Sequence, residues 1–180
     1  TGEVSAEMIK RLSAEYVILG HSERRAMGET NEVIKKKLQA AFDADLVPIL
    51  CIGENERDRD GNHLEFIKYQ IKECLSCLSK KNLVGIIIAY EPIWDIGKSY
   101  KESMSPTDIH ETVLFIKKII SENFGADIAG GVRIIYGGSV EAENAGEIIR
   151  IGNADGFLVG HASLKPNEFS AILKAADVKK

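Results

Sequence analysis

Apolar residues along this chain fall into two alternating rhythms. Short, nearly continuous runs rich in β-branched residues occupy positions 16–19, 47–52, 84–90, 132–136 and 156–159. Runs of that length and composition predict strands buried on both faces, as in a parallel sheet. Between them the apolar residues recur every three or four positions, which predicts helices over 5–12, 30–42, 63–79, 105–124, 142–151 and 166–176. The helix from Ser105 is the most clearly marked, with a hydroxyl cap, Pro106 in the first turn and Asp108 close behind. Strands alternating with helices predict βα units and an α/β fold. The strongly polar connections, 55–62 and 98–105, do not resemble domain linkers, so a single domain over 1–180 is expected.

Composition narrows the function. With 180 residues, 44% hydrophobic and 28% charged, the chain has the proportions of one globular core. A net charge of −4 and no basic stripe argue against nucleic acid or an anionic membrane as the main partner. No apolar run reaches membrane-span length. The absence of a signal-peptide pattern and the sparse set of 3 cysteines set the expectation of a reduced, cytoplasmic location. Cys74 and Cys77 form a C-x-x-C pair, but they fall within a helical pattern and no second pair follows, so they read as helix-face residues rather than zinc ligands. His110-Glu111 fails as a helical zinc motif because Leu114 stands where the second histidine belongs. Cys51, at the end of the second run, reads as a small packing residue near a site, since no base adjoins it in sequence.

The chemistry gathers where the predicted strands end. In a parallel sheet those carboxyl ends share one rim, the usual place for a ligand. The third run stops at Glu91, followed by the stiff Pro92-Ile93-Trp94 and then Gly97, whose backbone is free to flex. Glu91 is thus placed either as a proton-transferring base or as a carboxylate capping the next turn. The other runs end in Gly20-His21-Ser22-Glu23-Arg24-Arg25, Gly53-Glu54, Gly137-Gly138-Ser139 and Gly160-His161-Ala162-Ser163. Glycines beside a helix start can expose N–H groups to a phosphate, although a glycine pair serves equally as an ordinary turn. Ser22 in Gly20-His21-Ser22 lacks the second glycine of a hydrolase nucleophile elbow.

Five of these segments, taken in order and at similar spacing, resemble the triosephosphate isomerases. They are Gly20 to Arg25, Cys51-Ile52-Gly53-Glu54, Ala89 to Trp94, Ile135 to Val140, and Asp155 to Gly160. The likeness starts at Thr1-Gly2-Glu3-Val4-Ser5, similar to that family's interdigitating third loop, and covers essentially the whole chain. It implies interconversion of dihydroxyacetone phosphate and glyceraldehyde 3-phosphate through an enediol, with no metal or organic cofactor and a small phosphorylated triose as partner. Glu91 would shuttle the proton and neutral His21 would polarise the carbonyl; this family is itself the standard illustration of that division of labour. Gly97, Ser139, Gly160 and the backbone of His161 would hold the phosphate under a lid formed by residues 92–99, which would exclude water. Ser22, Glu23, Arg24 and Cys51 would support the site; for Glu23 and Arg24, surface ion pairing is the other reading.

The departures from the family carry equal weight. A (β/α)₈ barrel takes about 250 residues, and this chain offers about five βα units, so an incomplete TIM barrel lacking the first three units is expected. The family's first-strand Lys and Asn then have no counterpart before His21, which makes a catalytically impaired chain the alternative expectation. Open strand edges should drive association into a homo-oligomer. Asp95 stands where the family usually has Ala and would repel a phosphate unless Lys98 compensates. His161 replaces a usual Gly and would be strained at positive φ.

Overall fold

The β-branched runs pair side by side in one parallel sheet. The computed structural model describes residues 4–177. Its strands are β1 (Tyr16–Leu19), β2 (Val47–Ile52), β3 (Ile87–Tyr90) and β4 (Arg133–Tyr136), hydrogen-bonded in chain order. Register runs through Tyr16 opposite Val47, Ile52 opposite Tyr90 and Tyr90 opposite Tyr136, all parallel. Four parallel strands crossed by helices are consistent with part of a (β/α)₈ barrel.

The helices are α1 (Ala6–Arg11), α2 (Ser22–Ala26), α3 (Asn31–Asp43), α4 (Asn62–Leu75), α5 (Lys80–Gly85), α6 (Pro106–Phe124), α7 (Ala126–Gly131), α8 (Ala142–Arg150) and α9 (Pro166–Ala176). Side-chain caps set several starts, as the sequence predicts. The Thr30 hydroxyl accepts the Val33 N–H at 3.4 Å to open α3, and Ser105 accepts the Asp108 N–H at 3.1 Å to open α6. Beyond the caps, one face of each long helix is apolar: Ile34, Leu38 and Ala41 on α3, and Ile109, Val113, Ile116 and Ile120 on α6, are buried. β3 at the centre is buried throughout. Each aliphatic side chain fully buried here contributes about 1.5–3 kcal/mol.

The expectation of five strands needs correction. The fifth run does not form a strand; it contributes one bridge, Phe157 opposite Tyr136. Its backbone follows β4, with Tyr136 N–H donating to Gly156 at 3.0 Å and Leu158 N–H to Tyr136 at 2.9 Å. At the near end, however, the Asp155 carboxylate accepts the Ile134 N–H at 2.9 Å, so part of the pairing passes through a side chain. The third run is also shorter than expected, because Val84 and Gly85 belong to α5. The helix expected over 63–79 stops early, at Leu75, and an unexpected helix, α5, follows at Lys80, where the Ser79 hydroxyl accepts the Asn82 N–H at 3.3 Å to start it. A serine suits a cap better than a helix interior. Cys74 is buried on α4, whereas Cys77 lies exposed beyond its end rather than on a helix face.

α2 and α7 were not expected. With 5 and 6 residues they are too short to show a period, and Gly125, Gly130 and Gly131 read as breaks. At the outer side of β1, Tyr16 and Ile18 are 50% and 49% exposed. Of the stretch likened to the third loop, Thr1, Gly2 and Glu3 lie outside the described residues. No helix among the described residues is long and apolar enough to cross a membrane.

Candidate active site

Because all four strands run the same way, Gly20, Gly53, Glu91 and Gly137 follow their carboxyl ends at one rim. Glu91 is the centre of it. Its side chain is 3% exposed, its N–H donates to Ile52 at 2.8 Å, and its carboxylate takes two partners from the segment after β1. Oε2 accepts the Ser22 N–H at 3.3 Å, and Oε1 lies 3.1 Å from His21 Nε2. Burial pushes the Glu91 carboxyl above its ordinary value, against the opposing pull of His21 and the Ser22 N–H.

His21 is held by the start of α2. It is the residue before the helix, and its Nδ1 accepts the Glu23 N–H at 3.3 Å. A ring nitrogen that accepts a backbone N–H carries no proton, so Nε2 is the N–H that faces the carboxylate. Glu23 thus serves the site through its backbone. The Cys51 thiol, buried beneath Glu91, is pushed up by burial first and then by the Glu91 charge, so it stays protonated. The thiol also hydrogen-bonds the Glu91 carboxylate.

The rim glycines are there because other atoms leave no room. A Cβ on Gly53 would sit 1.8 Å from the Glu91 carbonyl oxygen, and one on Gly137 would sit 2.9 Å from Glu91 Cγ. On Gly138 it would meet the Tyr136 hydroxyl at 2.3 Å and Asp95 Oδ2 at 2.6 Å. The glycine pair is therefore more than a turn: its bare backbone lets the two loop carboxylates approach β4.

Arg25, which the sequence did not single out, ties three elements together. Its guanidinium donates to Gly20 O at 2.7 Å, to Cys51 O at 3.1 Å and to Asn31 Oδ1 at 2.7 Å. Those bonds join the ends of β1 and β2 to the start of α3. Only the unusual pairing of two arginines in succession marked it in the sequence. Arg24 instead contacts Glu29 at 2.9 Å, beside Lys37, which pairs with the same oxygen. Burial alone would raise the Glu29 carboxyl, but Lys37 and Arg24 hold it below its ordinary value. Arg24 therefore anchors the loop after α2.

Residues 92–105 make up the expected lid and its extension. Ile93–Asp95 form one 3-10 turn, pinned by Ile93 N–H to Glu54 O at 2.9 Å. The buried Glu54 carboxylate accepts the Tyr90 hydroxyl and the Trp94 indole N–H, each at 2.9 Å. Asp95 is fully buried. Its Oδ1 accepts the Met104 N–H at 2.8 Å, its Oδ2 takes the Ser139 N–H at 3.1 Å and the Tyr136 hydroxyl, and its carbonyl accepts the Ser139 hydroxyl at 2.7 Å. Burial, then Asp95, drive the Tyr136 phenol upward, so it remains a donor. Lys98 does not compensate the Asp95 charge, for its Nζ lies over the Trp94 ring at 4.6 Å.

The four residues expected to hold phosphate differ in setting. Gly97, with φ of +81°, and Gly160 and His161 are exposed, while Ser139 is buried. His161 begins a 3-10 turn and is not at positive φ, so the strain expected there is absent.

A parallel α/β sheet with a buried carboxylate facing a single-tautomer imidazole at its carboxyl rim has the arrangement of a candidate proton-transfer site in the α/β barrel class. A family profile described as triosephosphate isomerase matches residues 1–176. The chain is 46% identical to the triosephosphate isomerase of Dictyoglomus thermophilum over 177 residues, which are 97% of this chain and 70% of that one. Identity to the Acetivibrio thermocellus enzyme is 46% over 97% of the chain and 69% of the relative. For Fusobacterium nucleatum it is 45%, over 98% and 70%. This chain belongs to the triosephosphate isomerase family.

Proposed function

We propose that the chain carries the family's isomerase site, interconverting dihydroxyacetone phosphate and glyceraldehyde 3-phosphate. The observation behind this reading is the His21–Glu91 pair, with Nε2 and Oε1 3.1 Å apart and the His21 tautomer fixed by the Glu23 N–H. Glu91 takes a proton from one substrate carbon and returns it to the next, and its raised carboxyl value brings it closer to the working range of a general base. His21 donates through Nε2 to the substrate carbonyl oxygen and steadies the enediolate. Gly97, Ser139, Gly160 and the His161 N–H receive the phosphate, and residues 92–99 close over it to keep water from the enediol.

The test is an isomerase assay of the purified chain beside its Glu91→Gln variant, with turnover expected to fall by about 10²–10⁴-fold. Equal traces from both proteins would reject the reading.

A second reading is favoured by the sheet's outer side, where Tyr16 and Ile18 are half exposed on β1. There the chain self-associates through that edge and is catalytically impaired. Sedimentation distinguishes it: an assembly without Glu91-dependent turnover supports it, and a dilute monomer overturns it.

A further inference from the structure

Asp95 departs from the residue usual in its family, and its contacts fall on a group the proposed reaction needs. Ser139 offers two donors, its N–H and its hydroxyl, and Asp95 takes both: the N–H on Oδ2 at 3.1 Å and the hydroxyl on the carbonyl at 2.7 Å. Oδ2 also accepts the Tyr136 hydroxyl, and Oδ1 the Met104 N–H at 2.8 Å. These bonds staple the 3-10 turn after Glu91 to the loop after β4. A carboxylate and a phosphate are both acceptor-only anions, so they suit the same donors.

We propose that the Asp95 carboxylate is an internal competitor of the substrate's phosphate, holding the Ser139 N–H on Oδ2 so that a phosphate must displace it to bind. The proposal rests on reading Ser139 as a phosphate contact. Two anions cannot share one buried N–H without strong repulsion. Lys98 offers no relief, since its Nζ lies over the Trp94 ring. Phosphate binding is therefore weaker than the donor set alone would give, and it is coupled to release of residues 93–95. Trp94 sits inside that turn, is the only tryptophan in the chain, and donates its N–H to Glu54 at 2.9 Å, so its fluorescence reports the release.

Inorganic phosphate titrated into the full chain tests this, read by calorimetry and by Trp94 fluorescence. Asp95→Asn keeps the shape and removes the charge; Asp95→Ala, the residue usual in the family, serves if the amide variant fails to fold by circular dichroism. The variant should bind phosphate at least tenfold more tightly than the parent. Adding Ser139→Ala removes only the hydroxyl held by the Asp95 carbonyl and keeps the contested N–H, so the gain from the Asp95 change should persist in the double variant. Equal or weaker binding by the Asp95 variant, a gain that vanishes with Ser139→Ala, or no binding by any of the proteins would each overturn the proposal. Tighter binding with no Glu91-dependent turnover would leave the competition standing and reject the isomerase reading; turnover with unchanged phosphate affinity would do the reverse.

Discussion

Glu91 and Asp95 are carboxylates on the same short loop, both almost wholly buried at 3% and 0% exposed, yet their surroundings differ in kind. Asp95 is met by three donors, the N–H groups of Met104 and Ser139 and the Tyr136 hydroxyl. Glu91 is met by one backbone N–H at 3.3 Å, one imidazole at 3.1 Å and the Cys51 thiol. The donors differ in strength rather than number, because a thiol is a weak donor while Asp95 takes two backbone N–H groups and a phenol. Burial by itself does not mark a reactive acid. What marks it is burial that outweighs the pull of its partners, which lifts the Glu91 carboxyl above its usual value.

That contrast breaks most visibly if Asp95 is removed. Asp95→Ala leaves the Ser139 N–H, the Met104 N–H and the Tyr136 hydroxyl in a buried place without their acceptor. The expected loss is about 2–4 kcal/mol of folding stability, measured by urea unfolding. A loss below about 0.5 kcal/mol would mean that Asp95 is no better anchored than a surface residue.

Tyr136→Phe sharpens the same side with a smaller change. It deletes one donor to Asp95 and leaves the ring packed beside Tyr90, at a centroid distance of 6.2 Å. A hydrogen bond to a charged group contributes about 1.5–3 kcal/mol, so a loss near 2 kcal/mol is expected. Combined with Asp95→Ala the two losses should not add, because both remove one interaction. Full additivity in the double variant would place Tyr136 outside the Asp95 network.

How much of this could be read from the chain follows the same division. The parallel sheet, the helix starts at Thr30 and Ser105, and the rim position of Glu91 and His21 were legible, because period, capping chemistry and strand-end breaks are local signals. The Asp95 network was not. Its partners Met104, Tyr136 and Ser139 come from separate parts of the chain, and the sequence offered only the expectation that a charge there would repel phosphate. Arg25 escaped for the same reason, since its three acceptors lie on Gly20, Asn31 and Cys51. The fifth strand failed differently: its apolar run was real, but strand pairing depends on a neighbour, and Asp155 diverts one hydrogen bond of the ladder to its own side chain.

The smallest of the expected effects probes the Glu91 side through pH. A carboxyl raised in the folded state binds its proton more tightly there than in the unfolded chain. As pH climbs from the ordinary value of 4.5, the unfolded state ionises first and gains, so stability due to Glu91 is full below 4.5 and is lost as pH passes the folded value. Glu91→Gln cannot ionise. It should match the parent in acid and become the more stable of the two toward neutrality, by less than the loss from Tyr136→Phe, in thermal melts across that range. Glu29 supplies the mirror image, because Lys37 and Arg24 hold its carboxyl low. The stability it gives is present above 4.5 and lost as pH falls through its folded value, so Glu29→Gln should be the less stable protein near neutrality and converge on the parent in acid. If both variants shift the same way with pH, Glu91 is held as a structural carboxylate like its neighbour, and the contrast with Asp95 fails.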